Sequence, residues 1–218
     1  MPLYQLKQDT IDRNFLFIHI PKTGGTAIEN YFRSVGLSSF FDPASYRMIR
    51  PFLKIPPAHF DYQMCERLFL LEKLYSFAVV RNPFQRMISE YKWAIRNSTL
   101  PDRVKQFTFS EFVDFAFERY EQDENFLAGH LKPQRMFIGN RLSKIFKYEQ
   151  GLNAIVASVF ADTGLRPGGA IDIPVVNSSG RLPVKVKEAD VVAIRRIYAE
   201  DFALFGYSSD LPDLDTNQ

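Results

Sequence analysis

Apolar positions along the chain follow two different periods. Phe15-Leu16-Phe17-Ile18-His19-Ile20 is a nearly unbroken run of β-favouring residues. Tyr75-Ser76-Phe77-Ala78-Val79-Val80 is a second run, apolar nearly throughout as a strand covered on both faces requires. After the first run the spacing changes to that of a helix, with Ala27, Ile28, Tyr31 and Phe32 on one side and Val35-Gly36 as its end. Further helices are predicted from about 62 to Leu71, from 83 to 96 and from Leu152 to Phe160, with a third strand over Lys144 to Tyr148. Thr108-Phe109-Ser110-Glu111 reads as a capping box opening a helix to about Tyr120. Positions 191, 194, 197, 198, 202 and 205 are apolar, which predicts one amphipathic helix over Glu188 to Phe205. The proline-rich stretch 37–57 and the stretch 163–179 are read as irregular connections, and 1–14 and 208–218 as peripheral tails. Strands alternating with helices predict one α/β domain over 1–218, a three-layer, P-loop-like fold with a central, mostly parallel sheet flanked by helices.

In such sheets ligands bind outside the carboxyl ends of the strands, where two strand-to-helix junctions fall. The first is Pro21-Lys22-Thr23-Gly24-Gly25-Thr26: two glycines allow close backbone approach, and the free N–H groups of a helix start favour an anion such as phosphate. Its lysine precedes the glycine pair, so it is not a Walker A sequence, where lysine follows. The second is Arg81-Asn82-Pro83, with Asn82 suited to cap the next helix and Pro83 to its first turn. Together the junctions are suited to two separate anionic groups of one ligand, Lys22 to Thr26 taking one and Arg81 with Ser89 the other.

Composition narrows the function. Twenty-seven basic against 25 acidic residues leave a net charge of +2, which argues against a general nucleic-acid binder and allows only a local basic site. The single Cys65 excludes an internal disulfide, and no Cys/His cluster has zinc-ligand spacing, so no metal is expected. Phe is unusually common at 21 residues, which predicts an aromatic core. No signal-peptide segment and no run approaching the ~20 apolar residues of a spanning helix is present, so a cytoplasmic protein without stable membrane insertion is the expectation.

The two junctions in this order resemble the signature of sulfotransferases that use 3′-phosphoadenosine 5′-phosphosulfate (PAPS). The phrase His19-Ile20-Pro21-Lys22-Thr23-Gly24-Gly25-Thr26 is similar to the carbohydrate branch that includes heparan sulfate 2-O-sulfotransferase and bacterial relatives. The likeness is dense over residues 15–93, departing at Asn82, where the family often has Asp. It implies that Lys22, Thr23, Gly24, Gly25 and Thr26 hold the 5′-phosphosulfate, with Lys22 meeting the charge that develops on the bridging oxygen, and that Arg81 and Ser89 hold the 3′-phosphate. Asn177-Ser178-Ser179-Gly180-Arg181 resembles a late loop that closes over the nucleotide, through which Arg181 would add a contact; as sequence alone it is an ordinary polar turn. His130 and Gln134 resemble a His…Pro-Gln segment near the acceptor cleft. The implied acceptor is a hydroxyl of a saccharide or glycoconjugate.

For the catalytic base the choice is His59, whose ordinary pKa of about 6.5 suits proton abstraction near neutrality and whose place ahead of the second strand matches the branch. Glu29 is a conceivable stand-in, although it reads as a solvated helix-face charge, and His19 as a core residue. Arg86 either touches the 3′-phosphate or pairs with Glu90. Arg47, Arg50 and Lys54 read as solvated surface. Two further readings stay open on sequence: a nucleoside-triphosphate phosphotransferase, and a non-catalytic nucleotide- or glycan-binding module.

Overall fold

The computed structural model describes residues 3–8, 11–40, 52–97, 100–166, 169–174 and 183–212, with the side chains of 5–8, 11–13 and 97 excepted. The chain forms two compact units, each of two segments: Met1–Val80 with Met136–Val176, and Arg81–Arg135 with Asn177–Gln218.

The first unit holds the sheet. Its strands are β1 (Leu3–Gln8), β2 (Ile11–Ile18), β3 (Ser38–Ser39), β4 (Tyr75–Val80) and β5 (Lys144–Lys147), in the order β3-β1-β2-β4-β5. β2, β4 and β5 are parallel neighbours, and β1 pairs antiparallel with both β2 and β3, so β1 alone runs against the other four. This is the α/β class with a mostly parallel central sheet that the alternating pattern predicts. Phe15, Phe17, Phe77, Val79 and Phe146 share one buried cluster with Ala27, Ile28 and Phe32 of α1 (Gly25–Ser34) and Ile155, Val156 and Val159 of α5 (Leu152–Thr163). Phe15 and Phe17 of β2 therefore face α1. Phe17 stacks on Phe77 at 4.7 Å, and Phe77 meets Phe146 edge-on at 6.0 Å, so rings from three adjacent strands line that face. α2 (Tyr62–Leu68) is capped by Asp61, which accepts from the Met64 N–H at 3.0 Å.

The sheet extends into the segment expected to be a peripheral tail. β2 starts at Ile11, and Leu3–Gln8 pairs beside it with Tyr4 opposite Phe15. An outer antiparallel pair needs few apolar residues: Tyr4 alone stacks on Phe15 at 5.2 Å and meets Phe32 edge-on at 4.8 Å, while the polar run Asp12-Arg13-Asn14 conceals the strand.

The second unit is helical: α3 (Pro83–Asn97), α4 (Phe109–Gln122), α6 (Glu188–Ile197) and α7 (Ala199–Phe205). Asn82 accepts from the Phe84 and Gln85 N–H groups, and Thr108 with Glu111 forms the expected capping box. The expected single helix over Glu188 to Phe205 is two. It breaks at Tyr198, with φ −110 and ψ 23, where the buried hydroxyl donates to the Leu131 carbonyl at 3.0 Å. An apolar stripe does not register such a break because Tyr198 is itself apolar and buried. Among the described residues no helix is long and apolar enough to cross a membrane.

Candidate active site

β2 ends at Ile18 and feeds a tight turn into α1. Lys22 lies in the left-handed region at φ 69, an arrangement costing about 1–2 kcal/mol for a residue with a Cβ, and Gly24 at φ 85 is the N-cap. Left-handed non-glycine residues cluster at functional sites, where the surroundings hold them. No side chain caps the helix: the first helical hydrogen bonds run from the Ala27 and Ile28 N–H groups to the Gly24 carbonyl. The Gly25 and Thr26 N–H groups are thus left as first-turn donors without an intrahelical acceptor, at the positive end of the dipole. Gly24, and not a hydroxyl residue, is the N-cap, and exposed Thr26 lies within the first turn. The buried Thr23 hydroxyl donates to the Ile20 carbonyl at 2.8 Å, so its side chain braces the turn from behind.

Glu29 is not a solvated charge. It is buried, 8% exposed, and its Oε1 lies 2.6 Å from His19 Nδ1. Strand alternation directs His19 to the α1 face in line with Phe17, on which it stacks at 5.7 Å, and helical spacing places Glu29 one turn beyond Gly25 on the buried side. Burial pushes the Glu29 carboxyl up, and the charge and hydrogen bond of His19 pull it down further, leaving it below its ordinary value. A Cβ on Gly25 would stand 2.2 Å from His19 Cδ2 and 2.3 Å from Nε2. The second glycine of the turn is therefore fixed by close approach of an imidazole, its own φ being ordinary. His59 ends a one-turn helix, Pro57–His59, half-buried with its ring edge-on to His19 at 5.6 Å. Lys22, the free helix start, His19, Glu29 and His59 all belong to the sheet unit.

The second junction opens the helical unit, where β4 runs on into Arg81. The Arg81 N–H donates to Gln134 Oε1 and the Gln134 Nε2 donates back to the Arg81 carbonyl, both at 2.8 Å. The Arg81 Nη2 donates to Gln85 Oε1 at 3.3 Å. Half-buried Ser89 lies on α3 with Lys92 one turn on. Burial, then the charges of Arg96 and Arg81, hold the Lys92 ammonium below its ordinary value.

Arg86 is 2% exposed, and its Nη2 donates to the His130 and Lys132 carbonyls at 2.6 and 2.9 Å. Glu90 Oε2 lies 2.9 Å from His130 Nδ1, and Trp93 lies against the same imidazole at 4.9 Å. The Gln134 amide is engaged at both ends by the Arg81 main chain. Cys65 is a packed thiol that burial pushes up to about 12. Arg181 with its turn, and Arg47 and Arg50, lie outside the described residues, and Lys54 is exposed. Among the described residues no group of three or more His, Cys, Asp and Glu is placed to hold a metal ion.

A model of the Sulfotransferase family matches residues 9–154, a span containing both junctions, His59, His130 and Gln134. No curated protein and no solved structure matches the chain.

Proposed function

The chain belongs to the sulfotransferase family, and we propose that it takes the sulfuryl group from PAPS and delivers it in line to a hydroxyl of a saccharide or glycoconjugate. The observation that carries this reading is the turn ahead of α1, where a helix start with no side-chain cap follows a lysine in the left-handed region. The residues present fit such a donor. Gly25 and Thr26 N–H groups suit its 5′-phosphate, and Lys22 its bridging oxygen. Arg81 and Ser89, following the strand next to β2, suit the 3′-phosphate.

The acceptor oxygen forms a bond to sulfur as the bond from sulfur to the 5′-phosphate oxygen breaks; the acceptor proton passes to His59, and the charge left on the 5′-phosphate is met by Lys22. His59 is preferred as base over Glu29 because the Glu29 carboxylate is buried and already bound by His19. The half-buried imidazole of His59 is more accessible. His130, held between Glu90 and Trp93, is assigned to the acceptor side. No metal is invoked.

The test is release of 3′-phosphoadenosine 5′-phosphate from PAPS over a panel of saccharide acceptors. Lys22→Ala and His59→Ala should each lower turnover by at least ~10²-fold. Full turnover in His59→Ala would remove it as the base. Phosphoryl transfer from ATP with magnesium, in place of sulfuryl transfer, would overturn the whole reading.

A further inference from the structure

The helical unit fixes one short segment, 130–135, with unusual completeness. The His130 and Lys132 carbonyls accept from Arg86, the Leu131 carbonyl accepts from the Tyr198 hydroxyl, and the Gln134 and Arg135 N–H groups donate to Asp201 at 2.7 and 2.8 Å. Arg86, Tyr198 and Asp201 are each 2% exposed or less. Buried polar groups cost stability unless they are paired, so three of them converging on one stretch of main chain hold it in a single conformation. The end of that stretch is Gln134, itself fully buried, whose amide closes a two-bond ring with the N–H and carbonyl of Arg81. Both polar atoms of the Gln134 side chain are thus spent on the main chain of Arg81.

We propose that Gln134, held by Asp201, is a positioning residue for Arg81 and thereby sets the preference of the protein for a 3′-phosphorylated nucleotide. This rests on the reading of Arg81 as the 3′-phosphate residue. An arginine side chain has many rotamers to lose on binding, and clamping both the N–H and the carbonyl of Arg81 fixes where that side chain starts. Gln134 thus acts on the donor through Arg81, rather than on the acceptor.

The experiment compares binding of 3′-phosphoadenosine 5′-phosphate and adenosine 5′-phosphate to wild type, Arg81→Ala, Gln134→Met and Asp201→Asn by titration calorimetry. Gln134→Met keeps the shape and loses both bonds to Arg81. It should cut the ratio of the two affinities about tenfold while leaving adenosine 5′-phosphate binding within about twofold. A purely structural role would weaken both nucleotides alike. Asp201→Asn, acting further back, should lower the ratio in the same sense, by about threefold, and serves if Gln134→Met folds poorly. If Arg81→Ala keeps the wild-type ratio, the reading of Arg81 itself fails. If Arg81→Ala loses the ratio but Gln134→Met, or Asp201→Asn in its place, retains it, the positioning role is overturned and the reading of Arg81 stands.

Discussion

Gly25→Ala is the most revealing single change in the sheet unit. The added methyl carbon would meet His19 Cδ2 at 2.2 Å and Nε2 at 2.3 Å, more than an ångström inside ordinary contact. The ring cannot simply lean away, because Glu29 holds Nδ1 at 2.6 Å and Phe17 stacks on it. Either the start of α1 shifts, an overpacking cost of about 1–3 kcal/mol, or His19 swings out and leaves a buried carboxylate without its partner, about 3–5 kcal/mol. The cheaper route sets the outcome, and the depth of the clash places it in the upper part of that range, about 2–3 kcal/mol. For a chain of this size that lowers the melting temperature by roughly 4–12 °C. The same change in a His19→Ala background meets no ring, and since the Gly25 φ is ordinary, alanine there should be neutral or gain up to about 1 kcal/mol from helix propensity. Urea denaturation of the four proteins measures the coupling, expected near 3 kcal/mol. A Gly25→Ala cost within about 0.5 kcal/mol, or an equal cost in both backgrounds, would refute the packing argument.

Three further outcomes follow from the same geometry. Lys22→Gly should be more stable than Lys22→Ala by about 1 kcal/mol because only glycine relieves the left-handed backbone, while both lose turnover; equal denaturation midpoints would remove the strain from the account. The Glu29 carboxyl lies below its ordinary value of about 4.5, so its contribution is present above that pH and lost as pH falls through the lowered value. The stability gap between wild type and Glu29→Gln should therefore shrink between about pH 5 and pH 3, and a gap constant over that range would contradict the lowered Glu29 carboxyl. Cys65, with its thiol pushed up to about 12 by burial, should resist alkylation at pH 8 in the folded protein and react once urea unfolds it; fast labelling of native protein would show the site open.

Much of the site can be read from the chain because its signals are local. Two strand-to-helix junctions, the Asn82 cap and the Thr108 capping box each depend on a few consecutive residues. The Glu29–His19 pair is legible only by joining two periods, the strand parity that sends His19 to the face of Phe17 and the helical spacing that places Glu29 beneath Gly25; neither period alone shows a charge turned inward. The clamp on Arg81 has no such signal. Gln134 and Asp201 lie 53 and 67 residues from the main-chain groups they hold, and side chains paired over that distance leave no spacing to read. The break at Tyr198 was hidden for a related reason, since the residue that interrupts the helix also continues its apolar stripe.

The proposed use of a PAPS-type donor is tested most directly by calorimetric titration of the wild-type protein with 3′-phosphoadenosine 5′-phosphate, with ATP plus magnesium and Arg81→Ala as controls. Micromolar binding that is lost in Arg81→Ala and not matched by ATP is the result expected. No binding, or a preference for ATP with magnesium, would contradict it.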